Sequence, residues 1–202
     1  MINTIIFDLG GVLIDWNPKY LYRKIFSSEE EITHFLEQIC TPEWNEEQDG
    51  GRSIADGTEW LVQKHPDHEQ QIRAFYDRWT EMLGDPLSGT VDIFRQLRES
   101  GKHRIYALTN WSAETFPIAR ERYDFLNWFD GIVVSGEERM RKPFPEFYQL
   151  LLDRYKAKAE ECIFIDDNYR NVAAAEAVGI SGIHFTSAEQ LRTELENSGL
   201  IY

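Results

Sequence analysis

Four short stretches carry the side chains through which this sequence could do chemistry: Asp8, Thr109-Asn110, Lys142-Pro143 and Asp166-Asp167. Asp8 ends the apolar run Ile5-Ile6-Phe7 and is followed at once by Leu9-Gly10-Gly11. A carboxylate there is a candidate nucleophile or metal ligand. The glycines after it would let the backbone turn sharply and leave amides, that of Gly11 among them, open to an anion. Lys142 offers a point charge, Thr109 a hydroxyl, and the acidic pair hard oxygen donors for a cation. That set is what phosphoryl transfer needs. A carboxylate attacks phosphorus and forms an aspartyl phosphate, and attack of one anion on another requires charge neutralisation. Singly, each stretch also has a plain structural use: a turn-capping Asp, a strand-end turn, a solvated lysine, and an N-cap pair at a helix dipole. Their joint placement argues for a site.

The elements needed to bring them together can be read from periodicity. Strands are predicted over Ile2–Phe7, Arg104–Leu108, Gly131–Val134, Cys162–Ile165 and Gly182–Phe185, alternating with helices over Thr90–Ser100, Ala113–Tyr123, Pro145–Tyr155, Arg170–Val178 and Ala188–Asn197. Such alternation gives an α/β fold with a doubly wound, five-stranded parallel sheet, and the four chemical stretches then share its carboxyl edge. Residues 17–84 differ, with apolar stripes at helical spacing such as Ile32, Phe35, Leu36 and Ile39, or Ile72, Phe75, Tyr76, Trp79, Met82 and Leu83. Ser53 reads as the N-cap of a helix that Pro66 ends. The expected organisation is a core of residues 1–16 and 85–202 and an inserted bundle of four helices over 17–84, with Gly84-Asp85-Pro86 as punctuation.

The chain has 202 residues and a formal charge of −14, without a basic block. That argues against nucleic acid and anionic membranes as partners, and it leaves any phosphate site dependent on a local cation. Cys40 and Cys162 lie in segments assigned to different layers and are expected as free, buried thiols of a reducing compartment. With neither a basic leader nor a long apolar run, a soluble, cytoplasmic protein is expected.

Over its whole length the chain resembles the haloacid dehalogenase superfamily. The motifs read Asp8-Leu9-Gly10-Gly11-Val12, Thr109-Asn110-Trp111, Lys142-Pro143 and Phe164-Ile165-Asp166-Asp167-Asn168, with 17–84 in the place of a cap. The resemblance implies Asp8 as nucleophile and Mg²⁺ ligand, the Gly10 carbonyl and Asp167 as further ligands, and Asp166 behind them. It also implies Thr109 and the Asn110 amide on phosphoryl oxygens, and Lys142 bridging Asp8 and the phosphate. The expected activity is Mg²⁺-dependent hydrolysis of small phosphate monoesters, including sugar phosphates, by a monomer or weak dimer.

One position departs from the pattern. The family's phosphatases carry a second Asp two residues after the nucleophile, as general acid and base, where this chain has Gly10. Losing such a group typically costs ~10²–10⁴-fold. Asp15, Glu46, Glu47 and Asp49 are the acids considered as substitutes. A 2-haloacid dehalogenase also lacks that Asp, but resembles D-x-Y-G-T at the first motif and needs no metal; a non-catalytic phospho-ligand binder is the other alternative. Trp44, Asn45, Arg52 and Trp111 are expected to contact the substrate. The five histidines follow no metal-ligand spacing.

Overall fold

The computed structural model describes residues 1–201. β1 (Thr4–Phe7) leads through a tight turn to β2 (Ile14–Trp16). The inserted helices follow: α1 (Lys19–Tyr22), α2 (Glu29–Gln38), α3 (Pro42–Asp49), α4 (Ile54–Lys64) and α5 (Glu69–Asp77), with short 3₁₀ turns around α5. The chain returns through β3 (Leu83–Pro86). It then alternates α6 (Ser88–Ser100), β4 (Arg104–Thr109), α7 (Phe116–Arg122), β5 (Gly131–Val134), α8 (Ser135–Glu138), α9 (Pro145–Tyr155), β6 (Cys162–Asp166), α10 (Tyr169–Ala177), β7 (Ser181–His184) and α11 (Ala188–Asn197).

β1 lies at the centre of a parallel sheet of order β5-β4-β1-β6-β7. Alternation along its strands divides the core. Ile5, Phe7, Ile105 and Ile165 face one side with Phe94 and Leu191, while Ile6, Tyr106 and Phe164 face the other with Phe147, Tyr148 and Leu151. Each of these side chains is buried, and full burial of one aliphatic or aromatic side chain contributes roughly 1.5–3 kcal/mol. Register is thereby fixed: Phe7 pairs with Ala107 and Ile165, so the residues that follow these strands arrive at one edge together.

The insert shares the first of these cores. Tyr22, Phe35 and Phe75 are fully buried, with the Tyr22 and Phe35 rings 4.8 Å apart. α2 begins with a capping box, Ser28 accepting from the Glu31 N–H and the Glu31 carboxylate accepting from the Ser28 N–H, which separates it from α1 and starts the stripe of Ile32 and Phe35 afresh. Ser53 caps α4 through the Asp56 N–H, 3.0 Å away. The stripe from Ile72 to Leu83 likewise breaks after Asp77, and its tail forms a 3₁₀ turn and a strand.

That strand corrects the reading of Gly84-Asp85-Pro86 as punctuation. β3 pairs antiparallel with β2, with an irregularity between Ile14 and Trp16, as a two-stranded ribbon where the insert leaves and rejoins the core. Its sequence has neither alternation nor β-branching, and pairing supplies what local preference lacks. The helix expected from Ala113 starts at Phe116, with Pro117 in its first turn. Among the described residues no helix is long and apolar enough to cross a membrane.

Candidate active site

Asp8 follows the central strand, and its backbone N–H still donates to the Ile165 carbonyl of β6 at 2.8 Å. Asp166 therefore ends the neighbouring strand at the same level. Between the two carboxylates lies Lys142, from the segment after α8, with Nζ 2.8 Å from Asp8 Oδ1 and 2.7 Å from Asp166 Oδ2. The lysine and Asp166 are wholly buried and Asp8 nearly so. Burial would lower the Lys142 ammonium, but Asp166 and Asp8 outweigh it and hold the ammonium above its ordinary value. Burial also pushes the Asp8 carboxyl up to about 8; Lys142 pulls it down and Asp166 pushes it further up.

Asp167 is the fourth charged group. Its carboxylate lies over Gly11, where an added Cβ would stand 2.2 Å from Oδ2, and Gly11 itself has φ of +74°. Only glycine fits there. The carboxyl of Asp167 is raised by desolvation and by Asp166. One oxygen from each of Asp8, Asp166 and Asp167 falls within 4.8 Å of the others. Three carboxylates and one ammonium leave an excess of negative charge, and hard oxygen donors in that number suit a small divalent cation. Both oxygens of Asp166 are already engaged, by Lys142, the Asn168 N–H and the Asn171 side-chain amide. Asn171 Oδ1 is buried without a donor, as an acceptor turned toward a hydrated ion would be. The residues present fit Mg²⁺.

The second motif splits into two tasks. Thr109 Oγ1 is buried with no partner among the described residues, a hydroxyl free for a ligand oxygen. The Asn110 side chain is committed: Oδ1 accepts the Lys142 N–H at 2.8 Å and Nδ2 donates to the Lys142 carbonyl at 3.0 Å. Its side chain thus holds the lysine's backbone in place, which leaves the backbone amide as the group of Asn110 to meet a phosphoryl oxygen. Gly11 departs from expectation. Its N–H donates to the Ile14 carbonyl at 2.9 Å, so what the glycine contributes is space for Asp167 and no anion-binding amide.

Asp8, Gly10, Lys142 and Asp167 open into a cleft of about 330 Å³ whose far wall is the insert, through Leu36, Cys40, Asn45, Glu46 and Phe75. A smaller recess of about 90 Å³ shares Gly10, Trp16, Asn45 and Asn110 with this cleft and is lined further by Asp49, Tyr76, Trp79 and Trp111. Asn45 and Trp111 are thus at the site, whereas Trp44 and Arg52 are not. Trp44 is buried in the insert, its Nε1 donating to the Gly57 carbonyl and its ring 5.2 Å from that of Phe75. Arg52 donates to Gln48 and to the Trp44 carbonyl, on the other side of α3. Both were expected from polarity and aromaticity, which do not report which side of a helix faces the core.

Of the acids considered as substitutes for the missing Asp, Asp15 accepts from the Tyr20 hydroxyl, Glu46 pairs with Arg170 and Glu47 with Arg141, while Asp49 reaches the recess. Sequence reasoning missed Asn171, Trp16, Tyr76 and Trp79 as site residues. Asn171 lies one turn beyond Asp167, a spacing that would have pointed to it; the aromatics carry no signal distinguishing a recess wall from a core.

A family model described as haloacid dehalogenase-like hydrolase matches residues 2–179. The chain is 33% identical over 183 residues to the sesquiterpene phosphatase astK of Aspergillus oryzae, covering 91% of this chain and 89% of that protein. To the phosphorylated carbohydrates phosphatase of Thermotoga maritima it is 26% identical over 189 residues, covering 90% and 83% respectively. In structure it is similar to a haloacid dehalogenase family enzyme of Bacteroides thetaiotaomicron solved with magnesium and inorganic phosphate. The TM-score is 0.67 at 22% identity, over 93% of this chain and 96% of that one, a likeness of fold.

Proposed function

The chain belongs to the haloacid dehalogenase-like hydrolase family, and on that premise we propose that it is a Mg²⁺-dependent phosphatase of small phosphate monoesters, working through an aspartyl phosphate on Asp8. The observation that carries this reading is the buried Lys142 ammonium held between Asp8 and Asp166, with Asp167 beside them. Phosphatase relatives that act, by their names, on a sesquiterpene phosphate and on phosphorylated carbohydrates support the same reaction on small molecules.

Asp8 attacks phosphorus, and Lys142 favours the ionised carboxylate against its burial and aims it, while drawing phosphoryl charge toward itself. Asp166 fixes the ammonium, Asn110 fixes the backbone that carries it, and the Thr109 hydroxyl takes a phosphoryl oxygen. Asp8, Asp167 and the Gly10 carbonyl would hold Mg²⁺, with Asp166 and Asn171 behind them. When bound, the cation neutralises the excess carboxylate charge and that of the phosphoryl group. Residues 17–84 act as a cap over the cleft, and Asn45 and Trp111 contact the leaving group.

The test is phosphate release from a panel of phosphomonoesters by the purified protein, in Mg²⁺ and in EDTA. Release that stops in EDTA and returns with Mg²⁺ is expected. Equal turnover in EDTA would overturn the metal assignment, and chloride release from a 2-haloacid without phosphatase activity would establish the dehalogenase instead. Binding of phosphate without turnover would make the chain a phospho-ligand binder.

A further inference from the structure

Gly10 leaves a space where a general acid would stand. It has no positive φ, and a Cβ built on it would meet nothing within 4 Å. The recess that Gly10 lines is also lined by Asp49, the last residue of α3. We propose that Asp49 is the general acid and base of this site, supplied from the helical insert to the space that Gly10 leaves open.

Three observations carry this assignment, which rests on the phosphatase reading. First, the carboxyl is aimed by a chain of hydrogen bonds that starts in the insert. Gln48 Nε2 donates to the Tyr76 hydroxyl at 3.2 Å, Tyr76 donates to Asn45 Oδ1 at 2.9 Å, and Asn45 Nδ2 donates to Asp49 Oδ2 at 2.9 Å. Second, the residue is tied to the catalytic edge. Its backbone carbonyl accepts from Ser135 Oγ at 2.5 Å, that hydroxyl accepts from the Trp111 N–H, and the carboxylate accepts the Ser112 N–H. Third, its position is electrostatically costly. A carboxylate in the last turn of a helix faces the negative end of the dipole, and among the described residues no Lys or Arg lies within ion-pair distance of it. Stability therefore does not explain an acid there, while proton transfer does.

Burial, reinforced by Glu46 on the same helix, pushes the Asp49 carboxyl up to about 7, against the Ser112 N–H, Arg141 and Lys142. Tyr76 on α5 also faces it, with its hydroxyl held neutral by burial and by Asp49 itself. An acid in that range exists in both protonation states near neutral pH, as a group that first gives and then takes a proton must.

In the first step a bond forms from Asp8 Oδ to phosphorus, and the bond from phosphorus to the alcohol oxygen breaks with its electron pair. The Asp49 proton passes to that oxygen, leaving free alcohol and the Asp49 carboxylate. In the second step a water oxygen bonds to phosphorus and its proton goes to Asp49. The phosphorus–Oδ pair returns to Asp8, and the products are one alcohol and one phosphate.

Leaving-group dependence tests the assignment. In Asp49→Asn, kcat/KM, which reports the step that releases the alcohol, should fall ~10²–10⁴-fold on an alkyl phosphate such as glycerol phosphate, but less than ~10-fold on p-nitrophenyl phosphate, whose leaving group is a weak base. Asp49→Asn combined with Gly10→Asp should recover at least ~10-fold of the alkyl loss, because a carboxyl then stands at the family's usual position. In the unmodified enzyme the alkyl ester alone should show an alkaline fall in kcat/KM, which needs no variant to fold. Equal losses of kcat/KM on both esters in a variant with unchanged melting, or no loss on the alkyl ester, would overturn the role. Failure of the phosphatase reading looks different: no phosphate release from either ester, or Asp8→Asn as active as the parent, removes both.

Discussion

Lys142 is one ammonium among three carboxylates, and this imbalance sets what substitutions at the site will do. Asp8→Asn keeps the shape of the side chain and removes an ionisable carboxyl, while Asp166 still pairs the buried lysine at 2.7 Å. Turnover should drop below a few per cent with the melting temperature preserved, because the nucleophile is lost while the shape and the lysine's partner Asp166 remain. A well-folded Asp8→Asn protein that retained most of its phosphate release would show that another group attacks phosphorus. Asp8, Lys142 and the acidic pair were legible because each stands at a change of pattern in the sequence. The Asn110 clamp and the engaged Gly11 amide were not. Which partner a short polar group takes depends on backbone brought from more than 30 residues away in the case of Asn110, and on a local ring closed by Ile14 in the case of Gly11.

At the scale of elements, α8 joins the site to the insert. Ser135 bridges the Trp111 N–H and the Asp49 carbonyl, and Gly136 donates to the Trp111 carbonyl at 3.0 Å. A Cβ on Gly136 would come within 2.3 Å of the Ala113 backbone nitrogen and 2.8 Å of the Trp111 carbonyl oxygen. Backbone cannot swing aside as a flexible side chain can. Gly136→Ala should therefore cost ~1–3 kcal/mol in denaturant unfolding and lower kcat, by parting the Asn110–Trp111 loop from α3. Gly10→Ala is the contrast, in open space at an ordinary φ, and should change stability by less than about 1 kcal/mol. Indistinguishable unfolding curves for the two would mean that α8 yields more easily than its contacts suggest. The five parallel strands and helices α9 and α11 were legible to within a residue or two, since apolar alternation and helical stripes are local signals that the core reinforces. The ribbon of β2 and β3 was not, because Gly84 and Pro86 suit a turn as well as a strand, and only pairing with Ile14–Trp16 decides between them.

The molecule as a whole carries a formal charge of −14, so it repels a phosphate ester at a distance and attracts cations. A bound divalent ion would offset that repulsion where it matters most, and its binding must compete with protons. In the metal-free protein the Asp8 carboxyl is raised from 3.8 to about 8, chiefly by burial. A raised carboxyl means that the folded state holds a proton which the unfolded chain releases, so its stabilising contribution is complete below about pH 4 and is lost as pH rises through about 8. Asp167 shifts in the same direction, whereas Glu81, held down to about 2 by Arg78 and Lys24 outside the acidic cluster, acts oppositely. Comparing melts with and without Mg²⁺ cancels such outside contributions. Mg²⁺ requires the ionised carboxylates, so at fixed excess it should raise the melting temperature little at pH 5 and progressively more toward pH 8. In Asp8→Asn most of this pH-dependent gap should disappear. A Mg²⁺ shift of equal size at every pH, or one that survives in Asp8→Asn, would place the cation on other carboxylates of this acidic surface.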